Sequence, residues 1–157
     1  MGNANWGQHI KRELELVTYI NDQKQLEMAK KKIFISYDYD NLRHYKNLLV
    51  AWDKNDLFDF NFYDGSVDVS VNSTNADYIK QVIQNKINES DILLVIIGKH
   101  TYNNEWVEWE INKAYELSKS LVAVKTYNSN ISPDAIFGKG ASWAKSFTFD
   151  SIKTAIG

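Results

Sequence analysis

Cysteine is absent from the 157 residues, and proline occurs once, at Pro133. Without thiols the chain has no disulfide framework and no thiolate metal site, which fits a reducing cytoplasm. Its three histidines, His9, His44 and His100, lie too far apart for metal-ligand spacing, so no metal is expected. No apolar run approaches the length of a membrane span, and a formal net charge of -2 supplies no broad positive field for nucleic acid. Several chemistries are missing as well. The first β-rich run passes into Ser36-Tyr37-Asp38 without a glycine, which excludes phosphate loops of the P-loop and dinucleotide types. Gly98-Lys99 stands where a phosphate-relay receiver would carry its acceptor aspartate, and no nucleophile elbow supports Ser-His-Asp catalysis.

What is present is enough apolar material, 44% of residues, for one well-buried core, but the length is short for two ordinary domains. The aromatic share of 13% is read as packing. Residues 1 to 31 are taken as a helical extension, since Ile10, Leu14, Val17 and Ile20 keep a helical period among polar neighbours. That helix can pack on the domain or on a second subunit. Lys30-Lys31-Lys32 reads as a solvated junction.

From residue 32 to residue 157 strands and helices alternate. KIFISY at 32 to 37 is a first strand, Asp38 or Asp40 caps a helix facing inward through Leu42, Tyr45, Leu49 and Trp52, and residues 57 to 62 make a second strand. Tyr63-Asp64-Gly65 is a turn, followed by a polar surface loop from Ser66 to Asn75. Tyr78, Ile79, Val82, Ile83 and Ile87 set the inner face of the next helix. Leu121 to Thr126 is a fourth strand, residues 127 to 142 a long connection, Phe147 to Phe149 a short edge strand, and Ser151 to Ile156 a last helical turn or two. The pattern predicts an α/β fold, a three-layer sandwich around a parallel sheet with right-handed crossovers.

The chemistry concentrates between Asp91 and Leu117. Asp91 to Ile97 is a run without polar alternation, as suits a strand covered on both faces, and Gly98 ends it. Asn103 or Asn104 can then cap a helix whose Val107, Ile111, Ala114 and Leu117 form one buried stripe, with Glu110 at its edge and Trp106 one turn earlier. A carboxylate just past the carboxyl end of a central strand lies where open α/β sheets place their ligands. Read on residues alone, Glu110 is better explained by pairing on the helix surface with Lys113 or a lysine of a neighbouring element, with Trp106 as a core aromatic. Ser36, Tyr37 and Asp64 follow strand ends on the same rim and are candidate substrate contacts. Equally, Ser36 and Tyr37 can be no more than a strand end, and Asp64 no more than a turn former.

KIFISY, DILLVIIG at 91 to 98 and above all Trp106-Val107-Glu108-Trp109-Glu110 resemble the Toll/interleukin-1 receptor (TIR) domain family. The likeness is nearest to the ThsB-type TIR-like proteins of the bacterial Thoeris antiphage system, and it covers about residues 32 to 126. It implies a flavodoxin-like or TIR-like domain over residues 32 to 157 and cleavage of NAD, as substrate and not as cofactor, at the nicotinamide-ribose bond. By the same resemblance Glu110 is the catalytic residue, Trp106 or Tyr37 stacks on the cationic nicotinamide ring, and the product is ADP-ribose or a cyclic ADP-ribose-type signal. An effector protein reads that signal in the cytoplasm, and a homo-oligomer or a phage-derived trigger activates the site. The chain departs from receptor-type members: Val107 replaces their cysteine, and the Arg-Asp and Pro-Gly boxes of the loop after the second strand are missing. Residues 64 to 76 are thus left without a template. A non-catalytic interaction module and a nucleotide sensor without turnover are the other readings in view.

Overall fold

The computed structural model describes residues 3–54, 60–63 and 75–157. The chain divides into two compact units, residues 1–30 and 31–157. The first is a single helix, α1 (Asn3–Ala29), on which Ile10, Leu14, Val17 and Ile20 keep exposed side chains.

The second unit is built on five parallel strands, β1 (Lys31–Ser36), β2 (Phe60–Tyr63), β3 (Ile92–Ile97), β4 (Ser120–Lys125) and β5 (Ser142–Ala144), in the order β2-β1-β3-β4-β5. Helices α2 (Tyr39–Lys54), α3 (Ala76–Asn88), α4 (Glu105–Glu116) and α5 (Phe149–Ile156) connect and cover them. Every residue of β3 is buried, as the uninterrupted apolar run requires of a strand with helices on both faces. Alternation along each strand splits the core in two. Ile33, Ile35 and Tyr37 join Leu42 and Leu49 of α2 and Ile152 of α5 on one face. Phe34, Leu93 and Val95 join Ile79 and Ile83 of α3 and Val107 and Ile111 of α4 on the other.

This strand order is the flavodoxin-like one, whose connections change direction between β1 and β3. The loops after these two strands diverge to opposite faces, which opens a crevice at their carboxyl ends. Ser36 pairs with Val95 in the β1–β3 ladder and stands at that point.

Several expectations are corrected. Residues 147 to 149 form no strand: Thr148 caps α5, its hydroxyl accepting from Ser151 N at 3.3 Å, while Phe147 and Phe149 pack against Trp52. The fifth strand is instead Ser142–Ala144, three residues too few to show a period, paired with Val122–Val124. Tyr78 is 62% exposed and lies off the inner face of α3. The lysine junction is in part the start of β1: Lys31 Nζ reaches the carbonyl of Gly157 at 2.7 Å, and the Lys32 amide donates to Asp91 Oδ2 at 2.8 Å. Of the cap candidates for the fourth helix it is Asn104 that serves. The turn at Asp64 and the loop to residue 74 lie outside the described residues.

Candidate active site

Three local features aim Glu110 at the rim of the sheet. Gly98 ends β3 where a side chain has no room, since a Cβ there would lie 2.6 Å from a methyl carbon of Leu42. The buried Thr101 hydroxyl then accepts from the Gly98 amide at 2.9 Å and fastens the turn. Asn104 starts α4, its Oδ1 accepting from the amides of Trp106 and Val107 at 3.1 Å each and so satisfying two of the helix's unpaired donors. From that start Val107, Ile111 and Ala114 are buried, and the helix is fixed in rotation by their packing. Glu110, adjoining that stripe, is turned toward the end of β1.

There the Ser36 hydroxyl donates to Glu110 Oε2. Ser36 is fully buried on the α3/α4 face of the sheet, so its hydroxyl has no solvent to turn to. The residue Glu110 as a whole keeps some accessible surface, while its carboxyl is crowded by the surrounding protein. Burial raises its pKa from the ordinary 4.5 to about 7, against the opposing pull of the Ser36 hydrogen bond. Near neutral pH this carboxyl is therefore divided between its two protonation states. A desolvated carboxyl of this kind is a candidate for acid-base or electrostatic work.

The surface-pair reading of Glu110 does not hold. Lys113 Nζ bonds Glu116 Oε2 at 2.6 Å and lies 5.9 Å from the Trp109 ring. Trp106 meets Trp109 edge to face at 6.3 Å, with Lys80 of α3 at 6.0 Å from the one ring and 5.7 Å from the other. Trp106 thus sits partly buried on the seam between α3 and α4. Tyr37 belongs to the opposite core cluster, its ring 6.2 Å from Tyr39. The structure brings Ser36 and Glu110 together on one face and puts the Tyr37 side chain on the other. Asp64 lies outside the described residues. Among the described residues no group of three or more acidic, histidine or cysteine side chains is arranged to hold a metal ion. No described helix is long and apolar enough to cross a membrane.

Residues 34–131 match the family model described as Thoeris protein ThsB, TIR-like domain. The chain belongs to the ThsB TIR-like domain family. This match contains the end of β1, all of β3 and α4, and the Ser36–Glu110 pair. A curated relative from Bacillus cereus (strain MSX-D12), named "Putative cyclic ADP-D-ribose synthase ThsB1", is 25% identical over 97 residues, which cover 60% of this chain and 50% of that protein. The chain therefore spans about half the length of this relative. Among solved structures, a 2-deoxyribosyltransferase from Bacillus psychrosaccharolyticus superposes with a TM-score of 0.58 at 14% identity, covering 78% of this chain and 90% of that one. The CMP N-glycosidase BcmB from Clostridium botulinum gives 0.51 at 14% identity, covering 72% of this chain and 86% of that one. At such identities the likeness is one of fold, and it agrees with the flavodoxin-like sheet described above. The hydrogen bond between Ser36 and Glu110 has no local mark in the sequence, because 74 residues separate the two.

Proposed function

We propose that this ThsB-family domain cleaves NAD at the nicotinamide-ribose bond and that Glu110 is its catalytic residue. The observation that carries the reading is the Glu110 carboxyl itself, desolvated at the β1/β3 switch point and held by Ser36. The name of the Bacillus cereus relative supports the substrate class.

When the C1′–N bond breaks, its electron pair leaves with nicotinamide, which departs neutral, and positive charge develops on the ribose as in glycoside cleavage. A carboxylate in a water-poor crevice stabilises that charge far more than it would in solvent. The cationic ring of the arriving dinucleotide favours the ionised form of Glu110, so binding itself draws the carboxyl toward the state the reaction needs. Ser36 holds Oε2 and leaves Oε1 to meet the ribose hydroxyls or C1′. Capture of the cation by a nucleophilic atom of the same molecule gives a cyclic ADP-ribose-type product; capture by water gives ADP-ribose. A cyclic product is suited to act as a signal for a separate effector protein, and self-assembly or a phage-derived trigger is the switch that such a signal needs.

The test is to incubate the purified chain with NAD, dilute and under crowded conditions, and to measure nicotinamide release and the mass of the nucleotide product. Release by the wild type and its loss by at least a hundredfold in Glu110→Gln is the expected result. Equal release by Glu110→Gln overturns the assignment of the residue, and no release by the wild type in either condition, with or without an added extract of phage-infected cells, overturns the reaction.

A further inference from the structure

A hollow lies on the same rim, one strand further on. It has a volume of about 530 Å³ and is formed by the loop after β3, which contributes Lys99, His100 and Tyr102, and the loop after β4, which contributes Tyr127 and Asn130. Neither Ser36 nor Glu110 lines it. We propose that this hollow binds the adenosine-phosphate portion of a nucleotide, the anionic end of the dinucleotide whose other end meets Glu110. The choice of nucleotide rests on the reaction proposed above; the site itself rests on the following chemistry.

Two aromatic rings stand in solvent at a concave surface, Tyr102 at 46% exposed and Tyr127 at 68%. A purine offers a flat face to such rings, and stacking of this kind tolerates any base. Lys99 and His100 are the first two residues beyond Gly98, and both are exposed. A lysine ammonium is a mobile point charge suited to phosphate, and an imidazole N–H can donate to a phosphate oxygen. Asn130 supplies the directional element. Its amide nitrogen donates to the Ile97 carbonyl at 3.0 Å and to Thr126 Oγ1 at 2.9 Å. Those bonds use both N–H groups, so what Asn130 presents to a ligand is its Oδ1 acceptor, which matches the exocyclic amino group of adenine.

The walls are also set in advance. Asn130 is nearly buried and pins the second loop to the end of β3, while the Thr101 hydroxyl pins the first loop to Gly98. A hollow held this way needs little ordering when a ligand enters, which favours affinity. Its volume lies in the range of small-molecule sites, about 300–1,000 Å³.

The probe is adenosine 5′-monophosphate, titrated into the full chain by calorimetry or by following the Tyr102 and Tyr127 ring resonances, with inorganic phosphate as the comparison. Saturable binding is expected in the wild type and in Glu110→Gln alike, tighter for the nucleotide than for phosphate. Tyr127→Ala and Lys99→Ala should each weaken it at least tenfold, Lys99→Ala with an unchanged melting temperature because its side chain is exposed, and Tyr127→Ala with a small loss at most, since its hydroxyl also meets Tyr45. The absence of saturable binding, equal affinity in those two variants and the wild type, equal affinity for phosphate and nucleotide, or loss of binding in Glu110→Gln would each overturn the proposal. The two readings fail separately. A chain that binds the nucleotide but releases no nicotinamide sinks the reaction alone, and one that turns over NAD but does not bind the nucleotide sinks this site alone.

Discussion

Ser36, the last residue of β1, donates its hydroxyl to Glu110 on α4, and the two meet only because β1 and β3 lie side by side at the sheet's reversal of direction. The pair joins two sequence segments that lie 74 residues apart. Its electrostatics make the following expectations concrete.

Glu110 has a folded-state pKa of about 7 against an ordinary 4.5, so the native state keeps a proton there that the unfolded chain has lost. Between these values the native form binds more protons, and stability must fall as pH rises, by up to about 3 kcal/mol at 1.36 kcal/mol per unit. The penalty is absent below about 4.5 and complete above about 7. Glu110→Gln, which cannot ionise, should therefore gain stability relative to the wild type across that window and hold the gain beyond it. Urea unfolding at a series of pH values measures the difference, and a gap independent of pH contradicts the buried carboxyl.

Ser36→Ala removes the hydrogen bond that favours the carboxylate, leaving desolvation unopposed. The Glu110 pKa should rise above about 7, and the pH profile of nicotinamide release, limited on its acid side by that group, should move to higher pH. The Cδ resonance of Glu110, followed by carbon NMR against pH, reports the shift directly. Ser36→Thr should restore much of it, whereas a loss of rate without any displacement of the profile would assign Ser36 a purely structural part.

Gly98→Ala sets a methyl group 2.6 Å from a carbon of Leu42, a residue only 6% exposed and unable to withdraw into solvent. Overpacking of this kind costs about 1–3 kcal/mol. The double variant Gly98→Ala with Leu42→Val, which shortens the obstructing side chain, should recover part of it. Thermal melting of Gly98→Ala, Leu42→Val and the double variant decides, and an unchanged midpoint in Gly98→Ala shows that α2 yields freely.

The sheet was readable because its signals are redundant: β3 is six apolar residues in a row, and Val107, Ile111 and Ala114 repeat at helical spacing. Glu110 could be picked out by its place beside that stripe. Its partner could not, since a serine at a strand end has the same local sequence whether it meets a carboxylate, a ligand or water. Tyr37 shows the limit from another side. One position after Ser36, it points to the opposite face by the two-residue period of a strand, and the Ser36–Glu110 pair identifies which of the two faces carries the carboxyl. β5 failed for want of length, three residues with a single partner strand, while two phenylalanines nearby imitated a strand and instead pack on α2. The hollow between Tyr102 and Tyr127 was invisible for a similar reason, because its walls come from two loops that only the β3–β4 ladder brings together.

Lys31 grips the carbonyls of Ile156 and Gly157, so the first and last residues of the sheet-bearing unit are neighbours at the amino-terminal edge, across the sheet's length from the Ser36–Glu110 pair. A short graft of a few residues could join them, and new ends could be opened at a surface turn elsewhere, yielding a permuted protein with the Ser36–Glu110 pair undisturbed.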